Sequence, residues 1–254
     1  MRPACDGGFV PAQILLPKCA NCMYQNSYRP QTRFSLFPPV IKNLLIINGL
    51  VFMAQLGPTG DFLEHWFALW PFNTPEAVMT PTGQVIYLGD FWPWQLVTYG
   101  FLHSTAGFGH ILFNMFALWM FGMQLESTWG SKRFALYYFV CVIGAGLIQL
   151  LVVTTEGSIA ATIGASGGVF GILLAFGMMF PNQPIYLYFL VPIKAKWVVL
   201  GYGVIELMAG VNVLFGAQST VAHFAHLGGA LFGFLMIMYW RGKLPIRPER
   251  PMYY

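Results

Sequence analysis

Charge is what this chain has least of. Only 9% of its 254 residues are Asp, Glu, Lys or Arg, where soluble globular domains carry about 25%. Thirteen basic and nine acidic side chains cannot coat the surface of a water-soluble protein this size. That excludes an ordinary cytosolic enzyme, a disordered chain and a nucleic-acid binder. Cysteine is also scarce: Cys5, Cys19 and Cys22 sit near the start, and Cys141 sits in an apolar run. None falls in a loop expected to face outward, so no disulfide is expected. No H-E-x-x-H occurs, which disfavours a zinc metalloprotease. No long apolar run lies in the first 39 residues, so no signal peptide is read there.

What is present in quantity is apolar. Hydrophobic residues make up 57% of the chain and mean hydropathy is +0.61. This is the composition of a polytopic membrane protein, in which about six helices of ~20 residues would use half the chain. The net charge of +4 matters less than where the basic residues fall. They form four groups: Arg2, Lys18, Arg29, Arg33 and Lys42; Lys132 and Arg133; Lys194 and Lys196; Arg241, Lys243, Arg247 and Arg250. Each of the three gaps between them has room for a pair of crossings. The positive-inside rule makes all four groups cytoplasmic. Three out-and-back paths then give six spans with both termini inside.

Hydropathy predicts spans near 41–56, 109–126, 134–153, 164–180, 197–214 and 222–240. The expected architecture is an all-α bundle of six transmembrane helices. The loop over 57–106 carries Trp66, Trp70, Trp92 and Trp94. Trp favours the membrane interface, so this loop reads as lying in or on the outer leaflet. Residues 1–39 and 243–254 read as cytoplasmic tails flanking a membrane domain over 40–242. The first is expected to be disordered, with Met23 an alternative start. The Cys19-x-x-Cys22 pair is a weak half of a zinc site.

Polar residues inside apolar spans mark function by default, because burying them in lipid is costly. Span 2 opens with His110 and Asn114, four apart on one helical face. Span 4 opens with Gly164-Ala165-Ser166-Gly167, and span 6 with His223 and His226. Ser166 and His226 each lie 15 positions from the inner end of their span, which is about 22 Å of helix. Both therefore lie in the outer third of a ~30 Å core. Small residues every fourth position, at Gly167, Gly171 and Ala175 and at Ala225, Gly229 and Gly233, allow spans 4 and 6 to pack closely. A serine and a histidine at one depth suggest nucleophilic catalysis, with imidazole taking the hydroxyl proton. No acidic residue is near either in sequence, so a dyad is more natural than a triad. Glu206 in span 5 reads as structural.

The order His110-x-x-x-Asn114, Gly164-Ala165-Ser166-Gly167, then Ala225-His226-Leu227-Gly228-Gly229 with Gly233 resembles the rhomboid family of intramembrane serine proteases. The similarity covers about residues 36–242. It implies a rhomboid-like bundle with a long membrane-associated first loop. Ser166 would be the nucleophile and His226 the general base, acting without metal or cofactor. His110, Asn114, Gly164 and Gly167 match the oxyanion and nucleophile-loop positions. Phe170 and His103 match supporting positions, and Glu126 a structural acid; His223, one turn before His226 and nearer the outer surface, reads as a supporting residue that faces water or bonds a loop. Trp94-Gln95 stands where many members have Trp-Arg, and Phe170 where some have Tyr. Substrates would be transmembrane proteins in a lipid bilayer, cut near the outer leaflet. The family also implies substrate entry past span 5 and a lid near 212–221. The membrane is the cell (inner) membrane if the source is prokaryotic. Two other readings stand beside this one: a non-catalytic rhomboid-like protein that binds membrane helices, and a metal- or haem-binding protein using His103, His110, His223 and His226.

Overall fold

In the computed structural model, residues 35–246 are described, apart from 73, 81, 188, 189, 217, 218 and 220. The cysteines of the first segment, Met23, most of the expected C-terminal tail and part of the expected lid lie outside the described residues. The chain runs through α1 (Pro39–Gln55), α2 (Gly60–Phe67), β1 (Ala77–Met79), β2 (Val85–Tyr87) and α3 (Gln95–Thr98), which continues into a 3-10 turn (Tyr99–Phe101). Then come α4 (Gly109–Trp129), α5 (Ser131–Thr155), α6 (Ser166–Met179), β3 (Pro184–Leu187), β4 (Val191–Lys194), α7 (Ala195–Leu214) and α8 (His223–Trp240). The strands form two separate antiparallel hairpins, β1 with β2 and β3 with β4. By length and composition, α5, α7 and α8 are apolar and long enough to cross a membrane.

Each long helix begins and ends for a local reason. Proline in the first turn of α1 removes an N–H that would have had no helical acceptor. The two N–H groups that follow are taken by one side chain: Glu126 accepts from Val40 N at 3.0 Å and from Ile41 N at 2.9 Å. Ser131 Oγ donates to the same carboxyl group. A single buried acid thus joins the end of α4, the start of α5 and the start of α1. Gly130, with φ +80°, makes the reversal between α4 and α5. Helix α6 stops just before Pro181, and the β3–β4 hairpin follows it.

The core is built on glycine. A Cβ at Gly144 of α5 would overlap the Phe232 ring of α8, and one at Gly168 of α6 would overlap Tyr138 of α5. A Cβ at Gly229 of α8 would collide with the carbonyl oxygen of Gly167 in α6. The upper parts of the two small-residue stripes therefore do face each other. Lower down, Gly171 and Gly233 both meet Cys141 of α5, so α5 closes the third side. Cys141 is fully buried there as a free thiol.

Contacts place the basic residues among those described at one end of the bundle. Lys42 lies at the start of α1, Lys132 and Arg133 at the start of α5, Lys194 and Lys196 at the start of α7, and Arg241 and Lys243 at the end of α8. Those ends touch: Arg241 donates to Met178 O at 3.5 Å, Lys196 N to Pro181 O at 3.2 Å, and the Trp129 and Trp240 rings lie 5.4 Å apart. Glu126→Ala is expected to lower stability by about 2–3 kcal/mol, because it leaves buried donors without an acceptor. Unfolding in mixed micelles would measure this. A change below about 0.5 kcal/mol would contradict the clamp.

Candidate functional site

The first loop builds one wall of the site, and Gln95 holds the loop together. Its side chain is fully buried, accepts from Trp70 N at 3.2 Å and donates to Asp90 O at 2.9 Å. Glutamine thus anchors the loop at the position where an arginine is common. Tyr99 is also fully buried, and burial pushes its phenol well above its ordinary pKa, so it remains a donor, to Val142 O at 2.7 Å. Its own carbonyl accepts from Gly164 N at 2.9 Å. Leu69 and Thr162 exchange both backbone hydrogen bonds, at 3.0 and 2.9 Å. The first loop therefore fixes the segment that leads into Ser166.

Gly164 turns that segment with φ +128°, a conformation L side chains rarely adopt. Ala165 follows as the N-cap, and Ser166 is the first residue of α6. The predicted span began at 164; the helix begins two residues later because Gly164 is not helical. A Cβ at Gly164 would lie 3.0 Å from His110 Nε2 and 3.6 Å from Ser166 Oγ, so these two groups flank the same glycine. Gly167, directly after the serine, lies against Ala145 and the carbonyl of Ala225.

His110 is oriented by the loop. Its Nδ1 accepts from Ser104 N at 3.1 Å, which leaves Nε2 as the protonated nitrogen of the neutral ring, pointed toward Gly164 and Ser166. Asn114 is buried, and its Nδ2 donates to His110 O at 2.8 Å, so one of its two amide hydrogens is engaged on its own helix. His103 stacks near His110, with ring centroids 5.2 Å apart, and is wholly buried. Its backbone exchanges hydrogen bonds with the Gln55 side chain at the end of α1.

His226 enters from α8, whose start is held by Gln149 accepting from Ala225 N at 3.1 Å. Phe170 lies flat on the imidazole, 4.2 Å away at 9°. No hydrogen bond joins Ser166 Oγ to His226 among the described residues. Their elements meet through Gly167 and Gly229, and catalytic contacts are commonly loose before substrate binds. Sequence proximity gave no acid for His226, but the tertiary structure does. Glu206 Oε2 lies 3.0 Å from His226 Nδ1 and 2.7 Å from His223 Nδ1. His223 is thus bonded to Glu206 and, through Nε2, to Ser219 Oγ at 3.0 Å. Three metal-ligating side chains converge here, with candidate ligand atoms within 4.8 Å of one another. The shortest separation, however, is that of a hydrogen-bonded pair, His223 and Glu206, and the next is an ion-pair contact between His226 and Glu206. The one hint of this convergence in the sequence was an acid in an otherwise apolar helix.

Three helices apolar and long enough to cross a membrane, with polar side chains gathered where α4, α6 and α8 begin, define an integral multi-pass membrane protein of the helical class. The family model described as a rhomboid domain matches residues 91–243. The chain belongs to the rhomboid family. It is 33% identical over 224 residues to "RHOMBOID-like protein 4" of Arabidopsis thaliana, covering 80% of this chain and 52% of that protein. It is 31% identical to "Putative rhomboid protease YdcA" of Bacillus subtilis, covering 81% and 90%. It is 26% identical to "Rhomboid protease GlpG" of Yersinia pestis, covering 85% and 68%. The chain spans about half the length of several curated relatives it matches.

Two outcomes are expected from this geometry. Burial, reinforced by the neighbouring His110, lowers His103 from 6.5 to about 4. Below pH 6.5 the unfolded chain binds a proton that the folded chain refuses, so stability is full above that pH and declines toward pH 4. Thermal unfolding across this window should show a shallower decline in His103→Asn than in wild type. Gly164→Ala should cost about 1–3 kcal/mol from backbone strain and crowd His110, read as a lower unfolding midpoint.

Proposed function

We propose that this protein is an intramembrane serine endopeptidase in which Ser166 is the nucleophile and His226 the general base. The observation that carries the reading is the grouping of side chains around the start of α6: a serine heading the helix, His110 Nε2 across Gly164 from it, and His226 seated on Phe170 one turn further along. Its similarity to relatives named as rhomboid proteases supports the same chemistry.

In this mechanism His226 Nε2 takes the proton from Ser166 Oγ as the oxygen attacks a peptide carbonyl. The oxyanion is met by His110 Nε2–H, the backbone N–H of Ser166 and the free amide hydrogen of Asn114. Gly164 and Gly167 let the chain approach closely enough for this. The tetrahedral adduct collapses as His226 returns the proton to the leaving amine. Water, deprotonated by His226, then hydrolyses the acyl-enzyme.

The six long helices cross the bilayer with the basic end cytoplasmic. The membrane domain covers residues 40–242, with the flanking tails on the cytoplasmic side. At 14 residues, α6 is about 21 Å long, shorter than a ~30 Å core. With its basic end at the inner edge, Ser166 lies below the outer surface, where water can reach it. Substrates are transmembrane segments with residues that unwind easily, because helical carbonyls are otherwise hydrogen-bonded. The membrane is the inner cell membrane in a prokaryotic source.

Ser166→Ala and His226→Ala are each expected to abolish cleavage of a single-span reporter in liposomes, with product masses locating the scissile bond. A fluorophosphonate probe should label wild type at Ser166. Full cleavage by either variant would overturn the mechanism. Reporter binding without cleavage or labelling would favour a non-catalytic helix-binding protein.

A further inference from the structure

Helix α7 is apolar along its length except for Lys196 at its start, Asn212 near its end and Glu206 between them. An acid at that position needs partners, and the structure supplies two imidazoles from one turn of α8. His223 and His226, three apart, present Nδ1 to the same carboxylate oxygen, at 2.7 and 3.0 Å. Both pairs are largely shielded from solvent, with side-chain exposures of 10–14%. The two contacts differ in kind. His223 Nδ1 forms a hydrogen bond with Glu206, and Ser219 Oγ bonds the far side of that ring. His226 Nδ1 is at ion-pair distance but off the hydrogen-bond angle, and it has no other partner.

We propose that Glu206 is a positioning residue for His226, making the catalytic set Ser166–His226–Glu206 with His223 and Ser219 behind it. The proposal rests on the serine-protease reading above. The geometry has a direct chemical consequence. A carboxylate facing Nδ1 selects the neutral tautomer with its proton there, which leaves the Nε2 lone pair for Ser166 Oγ. When Nε2 takes the serine proton, the ring becomes imidazolium. Its attraction to Glu206 then rises from a dipole contact to a charge pair in a poorly hydrated site, and the misaligned contact closes. Glu206 gains no proton in this step. The proton leaves from Nε2 to the amine nitrogen of the product. His223 holds the carboxylate from the other side, so Glu206 cannot turn away without breaking a second bond.

The remaining groups that face His226 are accounted for. Phe170 of α6 covers one ring face without charge. His110 of α4 is near enough to interact with it electrostatically. Glu206 is the one acid beside it among the described residues. Without that carboxylate, two imidazoles would surround the position where the imidazolium must form.

The test is reporter cleavage in liposomes across pH, with wild type and Glu206→Gln. The amide is nearly isosteric but carries no charge and can present N–H to Nδ1. The expected result is a kcat at least about tenfold lower, with KM within about twofold and the acid limb of kcat displaced to lower pH by about one unit. A purely structural clamp would lower the amount of folded enzyme and leave the acid limb in place. Wild-type kcat in Glu206→Gln, or an unmoved acid limb, would overturn the proposal while leaving the protease reading intact. Absence of Ser166-dependent cleavage in wild type would overturn the protease reading and this proposal with it. If Glu206→Gln fails to fold, nitrogen-15 NMR of histidine-labelled wild type decides, with His226 assigned by the His226→Ala spectrum. A neutral ring protonated at Nδ1 supports the proposal, and one protonated at Nε2 overturns it.

Discussion

The contact between the Gly229 backbone and the carbonyl of Gly167 is the constraint on which the rest of the site depends. Lipid tails are as apolar as leucine side chains, so helices in a membrane are not driven together by exclusion from water. They associate through close packing and hydrogen bonds, and glycine permits the closest packing. Because α6 and α8 touch at backbone distance, the residues flanking those glycines have little freedom in where they fall. Ser166 precedes Gly167 by one position, and Phe170 follows one turn after the serine. The histidine of α8 lies one turn before Gly229 and lands on Phe170. Helix α5 completes the arrangement with its own small residues, Ala145 against Gly167 and Cys141 against Gly171.

Polar groups then lock the frame from the other side. Gln55, Gln95 and Gln149 are all buried, and each joins elements distant in sequence. Gln55 ties α1 to the backbone of His103, Gln95 ties together the segments of the first loop around Trp70 and Asp90, and Gln149 holds the start of α8. Buried in low dielectric, such amides are worth keeping only when satisfied, and a satisfied network specifies a single arrangement. Glu126 does the same at the opposite end by collecting two backbone donors and a hydroxyl. The bundle is thus polar at both ends for different purposes: basic residues and a clamp at one, oriented imidazoles and the serine at the other.

This division accounts for the shortage of charge. Among the described residues, the basic side chains lie at or beside helix ends, where they meet water or headgroups, and the buried acid Glu206 is enclosed by partners. Three buried amides and one acid, Glu126, carry out the buried structural work. The imidazoles combine both properties, because each can be neutral while the fold is assembled and charged when a proton must move.

Much of this was legible in the chain itself. Apolar runs marked helices α1 and α4–α8 to within a few residues, and three of these, α5, α7 and α8, are apolar and long enough to cross a membrane. The four-residue spacing of glycine and alanine marked the face on which α6 and α8 meet, and the order of His110, Asn114, Ser166 and His226 marked the candidate site. Three things depended on tertiary structure. The start of α6 was decided by the positive φ of Gly164, which hydropathy does not register. The hairpin after α6 depended on pairing between two short strands. The contact between Glu206 and His226 joins residues on different helices, twenty positions apart, and no periodicity within α7 or α8 encodes which neighbour each will face. Composition and local pattern determine what a segment becomes, because they act along the chain. Which side chain stands beside His226 is decided only when the helices have packed, because that depends on distances between helices rather than along the chain.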